Sequence, residues 1–108
     1  MKKVIITLLI ALMTIMYVSC IQRATIRVWN EGGDVMTVDV EVDSRTINDT
    51  QFEEFEIEWV SGPFQSHDVH VSASYSGATR QGGRYITNVE VYNEGWESLT
   101  ITNCPGWY

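Results

Sequence analysis

Met36-Thr37-Val38-Asp39-Val40-Glu41-Val42-Asp43 alternates an apolar residue with a polar one at every step. Successive side chains of an extended chain point to opposite faces, so Met36, Val38, Val40 and Val42 line one side and Asp39, Glu41 and Asp43 the other. A helix would scatter both sets around its circumference. The stretch reads as a strand with one buried and one solvated face, the pattern of an antiparallel sheet resting on a core.

Outward from this stripe the same period recurs. Ala24, Ile26 and Val28 share a face, with Thr25, Arg27 and Trp29 opposite; Phe55, Ile57 and Trp59 stand against Glu54, Glu56 and Glu58. Further stripes are Val69, Val71, Ala73 and Tyr75, then Tyr85, Thr87, Val89 and Val91, then Leu99 and Ile101. No helical pattern in residues 21–108 competes with them. Six short strands separated by Gly, Asn, Asp and Ser clusters predict an all-β fold, a single small antiparallel β-sandwich.

Turn chemistry supports that partition. Asn30-Glu31-Gly32-Gly33-Asp34 supplies residues that tolerate positive φ, which predicts a hairpin joining the first two strands. Folded symmetrically about Gly32-Gly33, such a hairpin would set Arg27 near Asp39 as an opposite-charge cross-strand pair. Directly opposed like charges destabilise a sheet, so the acidic rows Asp39/Glu41/Asp43 and Glu54/Glu56/Glu58 are expected in different sheets. Val28-Trp29-Asn30-Glu31-Gly32 recurs almost verbatim as Val91-Tyr92-Asn93-Glu94-Gly95, which reads as two equivalent strand ends. Residues 76–84, polar and containing Arg80, Gly82, Gly83 and Arg84, are expected to form the longest loop.

The first twenty residues break the alternation. Lys2 and Lys3 precede an apolar run from Val4 to Met16, and Tyr17-Val18-Ser19-Cys20 closes it. Positive charge, a short apolar segment and small residues before the end are what a translocated leader requires, so residues 1–20 read as a hydrophobic signal helix and residues 21–108 as the domain. The segment resembles the signal peptides of bacterial lipoproteins, with Tyr17 where an aliphatic residue is usual. That resemblance implies cleavage before Cys20, diacylglyceryl on its sulfur and residence in a bacterial cell envelope; without an Asp after the cysteine, it favours the outer membrane of a double-membraned cell. Ordinary secretion and an uncleaved anchor stay open, since residues 4–21 approach the length that crosses a bilayer core of about 30 Å. The cysteine count adds a further choice: Cys20 either carries lipid, leaving Cys104 a lone thiol, or closes a disulfide with Cys104 around nearly the whole domain.

Residues 21–108 hold all fourteen acidic side chains against five arginines and no lysine, a net charge of −9. Such a surface is a poor partner for nucleic acid, whose binding depends on cations displacing counterions from phosphates. It is equally unsuited to anionic lipid, which leaves membrane attachment to the amino end.

The strands of residues 28–42 and 55–59 resemble bacterial immunoglobulin-like or adhesion-type sandwich modules, in which an Asn-Gly-type turn leads to an alternating valine strand and later to one bearing Trp. The resemblance implies binding or spacing without chemistry. Candidate contacts with a protein or glycan partner are Trp29, Tyr92 and Trp96, which fall in outward phase, and Arg80 and Arg84 of the polar loop. Trp59 shares a face with Phe55 and Ile57 and is expected in the core. Trp107 and Tyr108 either dock on the domain or extend from it.

Other chemistry is thinly represented. Asp68 and His70 share an outer face, but no nucleophile elbow accompanies them. Glu54, Glu56 and Glu58 are spaced like a glycosidase pair, yet a uniform row gives no reason for one carboxyl to stay protonated. Glu31, Asp34, Asp43 and Asp49 could surround a calcium ion only if the loops converge, and no EF-hand run is present. The sequence reads as a noncatalytic lipoprotein without metal or cofactor, presenting a small acidic sandwich as a binding or accessory module. A structural subunit of a surface assembly is the alternative, and a calcium-dependent or hydrolytic domain the third.

Overall fold

The computed structural model describes residues 21–60 and 66–108, so the signal helix expected over residues 1–20 and Cys20 lie outside the described residues. Seven strands follow in order: β1 Ile21–Asn30, β2 Met36–Val40, β3 Asp43–Ile47, β4 Phe52–Val60, β5 His67–Ser76, β6 Gln81–Val91 and β7 Gly95–Ile101. They form a three-stranded sheet of order β4-β1-β7 and a four-stranded sheet of order β3-β2-β5-β6. The apolar stripes face inward and interlock: Ile26, Val28, Met36, Val38, Ile47, Phe55, Val69, Val71, Val91 and Ile101 are fully buried, as are Trp59 and Tyr75 almost completely. Removing each such side chain from water stabilises the fold by about 1.5–3 kcal/mol, offset by the entropy of ordering the chain.

The expected sandwich is therefore present, with several corrections. The described residues hold seven strands and not six, because the stripe ends at Val40: Glu41 and Val42 are the two central residues of a tight turn, Glu41 has φ 54° and Val42 is fully exposed. β3, Asp43–Ile47, pairs back on β2 and contributes only Ile47 to the core, so it has no apolar stripe to announce it. The sheets are not wholly antiparallel, since β1 runs antiparallel to β4 and parallel to β7. The immunoglobulin arrangement places the first, second, fifth and fourth strands in one sheet. Here the first and second strands belong to opposite sheets, so the likeness stops at the two-layer architecture.

Residues 31–35 consequently form a crossing between layers instead of a hairpin. Buried Asn30 fixes it: its Nδ2 donates to the Asp34 carbonyl at 2.7 Å and the Ile47 carbonyl at 2.8 Å, and its Oδ1 accepts from Gly32 N–H at 2.9 Å. Arg27 lies opposite Glu54 and not Asp39, bonding the Glu54 carboxylate at 2.7 Å. The two acidic rows do occupy different sheets, with Asp39 on β2 and Glu54, Glu56 and Glu58 on β4.

The expected long loop is also shorter. β6 already begins at Gln81, and its register slips between Ala73 and Tyr75 as the chain passes Gly82 and Gly83, with φ 78° and 72°. The carboxyl end crosses this bulge. Tyr108 and Gln81 exchange two backbone hydrogen bonds, and Arg84 N–H donates to the Pro105 carbonyl. A Cβ on Gly83 would overlap the Cys104 carbonyl oxygen, so glycine serves the close approach as well as the φ. Trp107 docks by its ring against Tyr75 and Arg80, and Tyr108 by its backbone, its side chain staying largely in water.

Cys104 is a free thiol buried beside Met36, its sulfur 4.0 Å from Sδ, and burial pushes its pKa up. It lies at the Asn30 end of β1. Ile21 begins the opposite end, ten residues or about 30 Å away along the strand. Cys20, and with it the alternative of a Cys20–Cys104 disulfide, lies outside the described residues.

Candidate functional site

The outer face of the three-stranded sheet is where aromatic and charged side chains collect. On β1 the outward residues are Arg23, Thr25, Arg27 and Trp29; on β4 they are Phe52, Glu54, Glu56 and Glu58; on β7, Trp96 and Ser98. Register aligns them in rows: Trp29 with Phe52, Arg27 with Glu54 and Ser98, Thr25 with Glu56 and Trp96, Arg23 with Glu58. Each row places an acid or an aromatic ring on β4 beside a β1 residue that can answer it, which is the favourable cross-strand arrangement.

Arg27 organises the face. Its guanidinium bonds Glu54, lies 4.5 Å from the Phe52 ring centroid and 5.8 Å from that of Trp96. Phe52 in turn covers Trp29, with ring centroids 4.7 Å apart at 46°. These contacts hold Trp29 half-buried and leave Trp96 60 % exposed. Below Arg27, a groove of about 180 Å³ runs between Glu56 and Glu58 on one side and Glu94 and Trp96 on the other, with Arg23 and Thr25 on its floor. Arg23 reaches Glu58 at 3.4 Å, both largely in water, and the Glu94 N–H donates to the Arg23 carbonyl at 2.6 Å. The groove thus combines an exposed indole face with three carboxylates and one arginine. Chemically it can stack a flat or apolar surface and accept hydrogen bonds from donors or cations beside it.

The sequence-derived contact residues are distributed over three places. Trp29 and Trp96 share this face. Tyr92 is exposed in the turn before β7, where its hydroxyl donates to the Glu90 carboxylate at 2.7 Å; that bond holds Glu90 below the usual carboxylate range and raises the Tyr92 hydroxyl. Arg80 and Arg84 stand at the opposite end of the sandwich. Arg80 is built into the fold there: its Nη1 donates to the Gly32 carbonyl and to Tyr75 Oη, and its guanidinium lies 5.0 Å from the Trp107 ring centroid. Arg84 is exposed. The sequence reading names Glu56 and Glu58 as an outward row but misses Phe52; Phe52 is in phase with Glu54, but only the register shows that it meets Trp29.

The loop acids do not converge on one point. Asp34 and Asp49 lie at the Asn30 end and Asp43 at the other, bonded to Arg45 at 3.0 Å. Asp34 braces the crossing: it accepts from the Thr79 hydroxyl at 2.5 Å and from the N–H groups of Val35, Thr79 and Arg80, which hold its carboxyl well below the usual range. His70 bonds Asn88, and His67 stacks on Trp59 and bonds Glu41. Compared with known proteins, the chain matches no family model, no curated protein and no solved structure.

Proposed function

We propose that the protein is a noncatalytic, lipid-anchored binding module of the bacterial cell envelope, which engages a protein or glycan partner through the outer face of its three-stranded sheet. The observation that carries this reading is the exposed indole of Trp96, fixed beside Arg27 at the rim of an acidic groove. An indole left in water while neighbouring Trp29 is half-buried is what a contact surface requires, and aromatic anchors carry most of the energy of such contacts. Glu54, Glu56 and Glu58 share one solvated row, and two of them are already held by Arg27 and Arg23, so they suit recognition better than acid–base chemistry. Membrane attachment rests on the signal-like residues 1–20 and on Cys20.

The test is capture from solubilised envelopes with the full chain, its Trp96→Ala variant and its Trp29→Ala variant. Retention of one discrete protein or glycan by the parent and its loss with Trp96→Ala is the expected result. Identical captures by all three would remove the face from consideration. A structural-subunit reading is favoured by one observation: among the described strands β7 pairs only with β1, so its outer edge offers backbone for strand addition. Ordered assembly of the purified chain that persists in Trp96→Ala would select it.

A further inference from the structure

The two ends of the sandwich differ in what they leave in water. β1 begins at Ile21, and its direct partner across the sheet is Val60, the last residue of β4. β2 enters from the Asn30 end and so returns to the Ile21 end at the Glu41-Val42 turn, while the turn of Tyr92 is fastened to it through the Glu94–Arg23 bond. Ile21, Val42, Val60 and Tyr92 therefore share one end, exposed by 51, 102, 73 and 55 %. Nothing in the fold requires apolar side chains at these positions. A strand terminus and a turn centre are where polar residues cost least, and Val42 stands in a turn whose preceding residue already needs positive φ. Three of the acids near these tips are partnered, Glu41 with His67 at 2.7 Å, Asp43 with Arg45 at 3.0 Å and Glu58 with Arg23 at 3.4 Å, while Asp68 and Glu94 stay in water.

The same end receives the chain from Cys20. A single peptide separates the Cys20 Cα from that of Ile21, about 3.8 Å, so acyl chains on Cys20 would draw this end of the sandwich onto the bilayer with no spacer between. We propose that the Ile21 end is seated in the membrane interface, with Val42, Val60 and Ile21 entering the boundary between headgroups and acyl chains and Tyr92 lying at headgroup depth. This rests on the membrane-anchored reading above. Aliphatic tips flanked by a tyrosine, whose ring is apolar and whose hydroxyl is already bonded to Glu90, match the composition of that layer. The strands then rise from the surface, and the groove of Trp96 opens sideways within a few residues of it.

The experiment uses the full chain matured in bacteria and reconstituted in vesicles of phosphatidylethanolamine and phosphatidylglycerol. Nitroxide labels are placed at Val42→Cys, Val60→Cys and, at the opposite end, Ala78→Cys, the buried Cys104 remaining unlabelled. On transfer from detergent-free solution to vesicles, the labels at 42 and 60 are expected to lose most of their collisions with a water-soluble nickel chelate and gain collisions with oxygen, while the label at 78 is unchanged. Labels at 42 and 60 as open to the chelate as that at 78 would overturn the seat, even where the amino-terminal peptide carries the mass of diacylglyceryl and the anchored reading stands. A mature chain with neither lipid nor leader overturns both.

Discussion

The outer faces of the two sheets are built from the same alternation and look nothing alike. The four-stranded sheet turns Thr37, Ser44, Thr46, His70, Ser72, Ser74 and Asn88 to solvent together with the charged Asp39, Asp68, Arg84 and Glu90, with Ile86 the main apolar exception. The three-stranded sheet turns out two tryptophans, a phenylalanine, two arginines and three glutamates, arranged so that a guanidinium lies between rings. Solubility is met by the first face at little cost in ordered side chains. The second orders long side chains through contacts that contribute little to stability at a surface, which fits the contact role proposed for it. Under the proposed function, the two faces separate what a sandwich needs to stay dissolved from what it needs to recognise something.

Four measurements would break or sharpen that contrast. The largest effect concerns the core both faces rest on: Phe55→Ala should cost about 3–5 kcal/mol in urea unfolding, with both sheets lost in one transition. Two separated transitions would mean that the faces belong to independent units and that comparing them has no basis. Next, Trp96→Ala should weaken partner binding by about 2 kcal/mol, roughly thirtyfold, while shifting stability by less than about 0.5 kcal/mol. His70→Ala on the other sheet should leave both quantities unchanged, and equal losses from the two variants would erase the distinction between faces.

A smaller effect is expected at Arg27. Its ion pair with Glu54 is more than a third exposed, so Arg27→Lys should cost less than about 1 kcal/mol of stability. Because lysine keeps the charge but loses the planar stack on Phe52, increased mobility of Trp96 should show as lower fluorescence anisotropy, and an unchanged value would remove Arg27 as its support. The smallest effect is a pH dependence that belongs to neither face. Asp34 has a folded pKa below its unfolded value, so its contribution is complete above about pH 4 and is lost as pH falls through the folded value. Amide exchange at Thr79 and Arg80 should quicken only in that acidic window, and Asp34→Asn should flatten the dependence.

What the chain discloses before folding divides along physical lines. Stripes such as Val69, Val71, Ala73 and Tyr75 are legible because each inward position is apolar and the period is unbroken. The Glu41-Val42 turn is not, since neither residue is glycine, asparagine or aspartate and Val42 continues the phase of Val40. Asp43–Ile47 buries a single side chain, too few to show a period. Asn30 to Asp34 announces a change of direction, but turn residues do not say whether a chain returns beside itself or crosses to another layer. Electrostatics carries further: the rule against opposed like charges separates the two acidic rows. It is relaxed where Asp68 faces Glu90 across β5 and β6, with Glu90 held by Tyr92. The proposed contact face is half legible. Trp29 and Trp96 stand out by phase alone, whereas Arg27, Phe52 and Glu54 acquire meaning only from the pairing of β1 with β4.

The parallel pairing of β1 with β7 has a mechanical consequence. Ile21 leaves the ladder at one end and Ile101 at the other, with seven paired positions between them. A pull between an amino end held at a surface and a carboxyl end held by a partner runs along both strands in opposite senses. It loads the ladder in shear, so the rows must yield together, where a hairpin pulled from its open end would unzip row by row. Tension applied from Ile21 to Ile101 meets the sandwich in its stiffest direction.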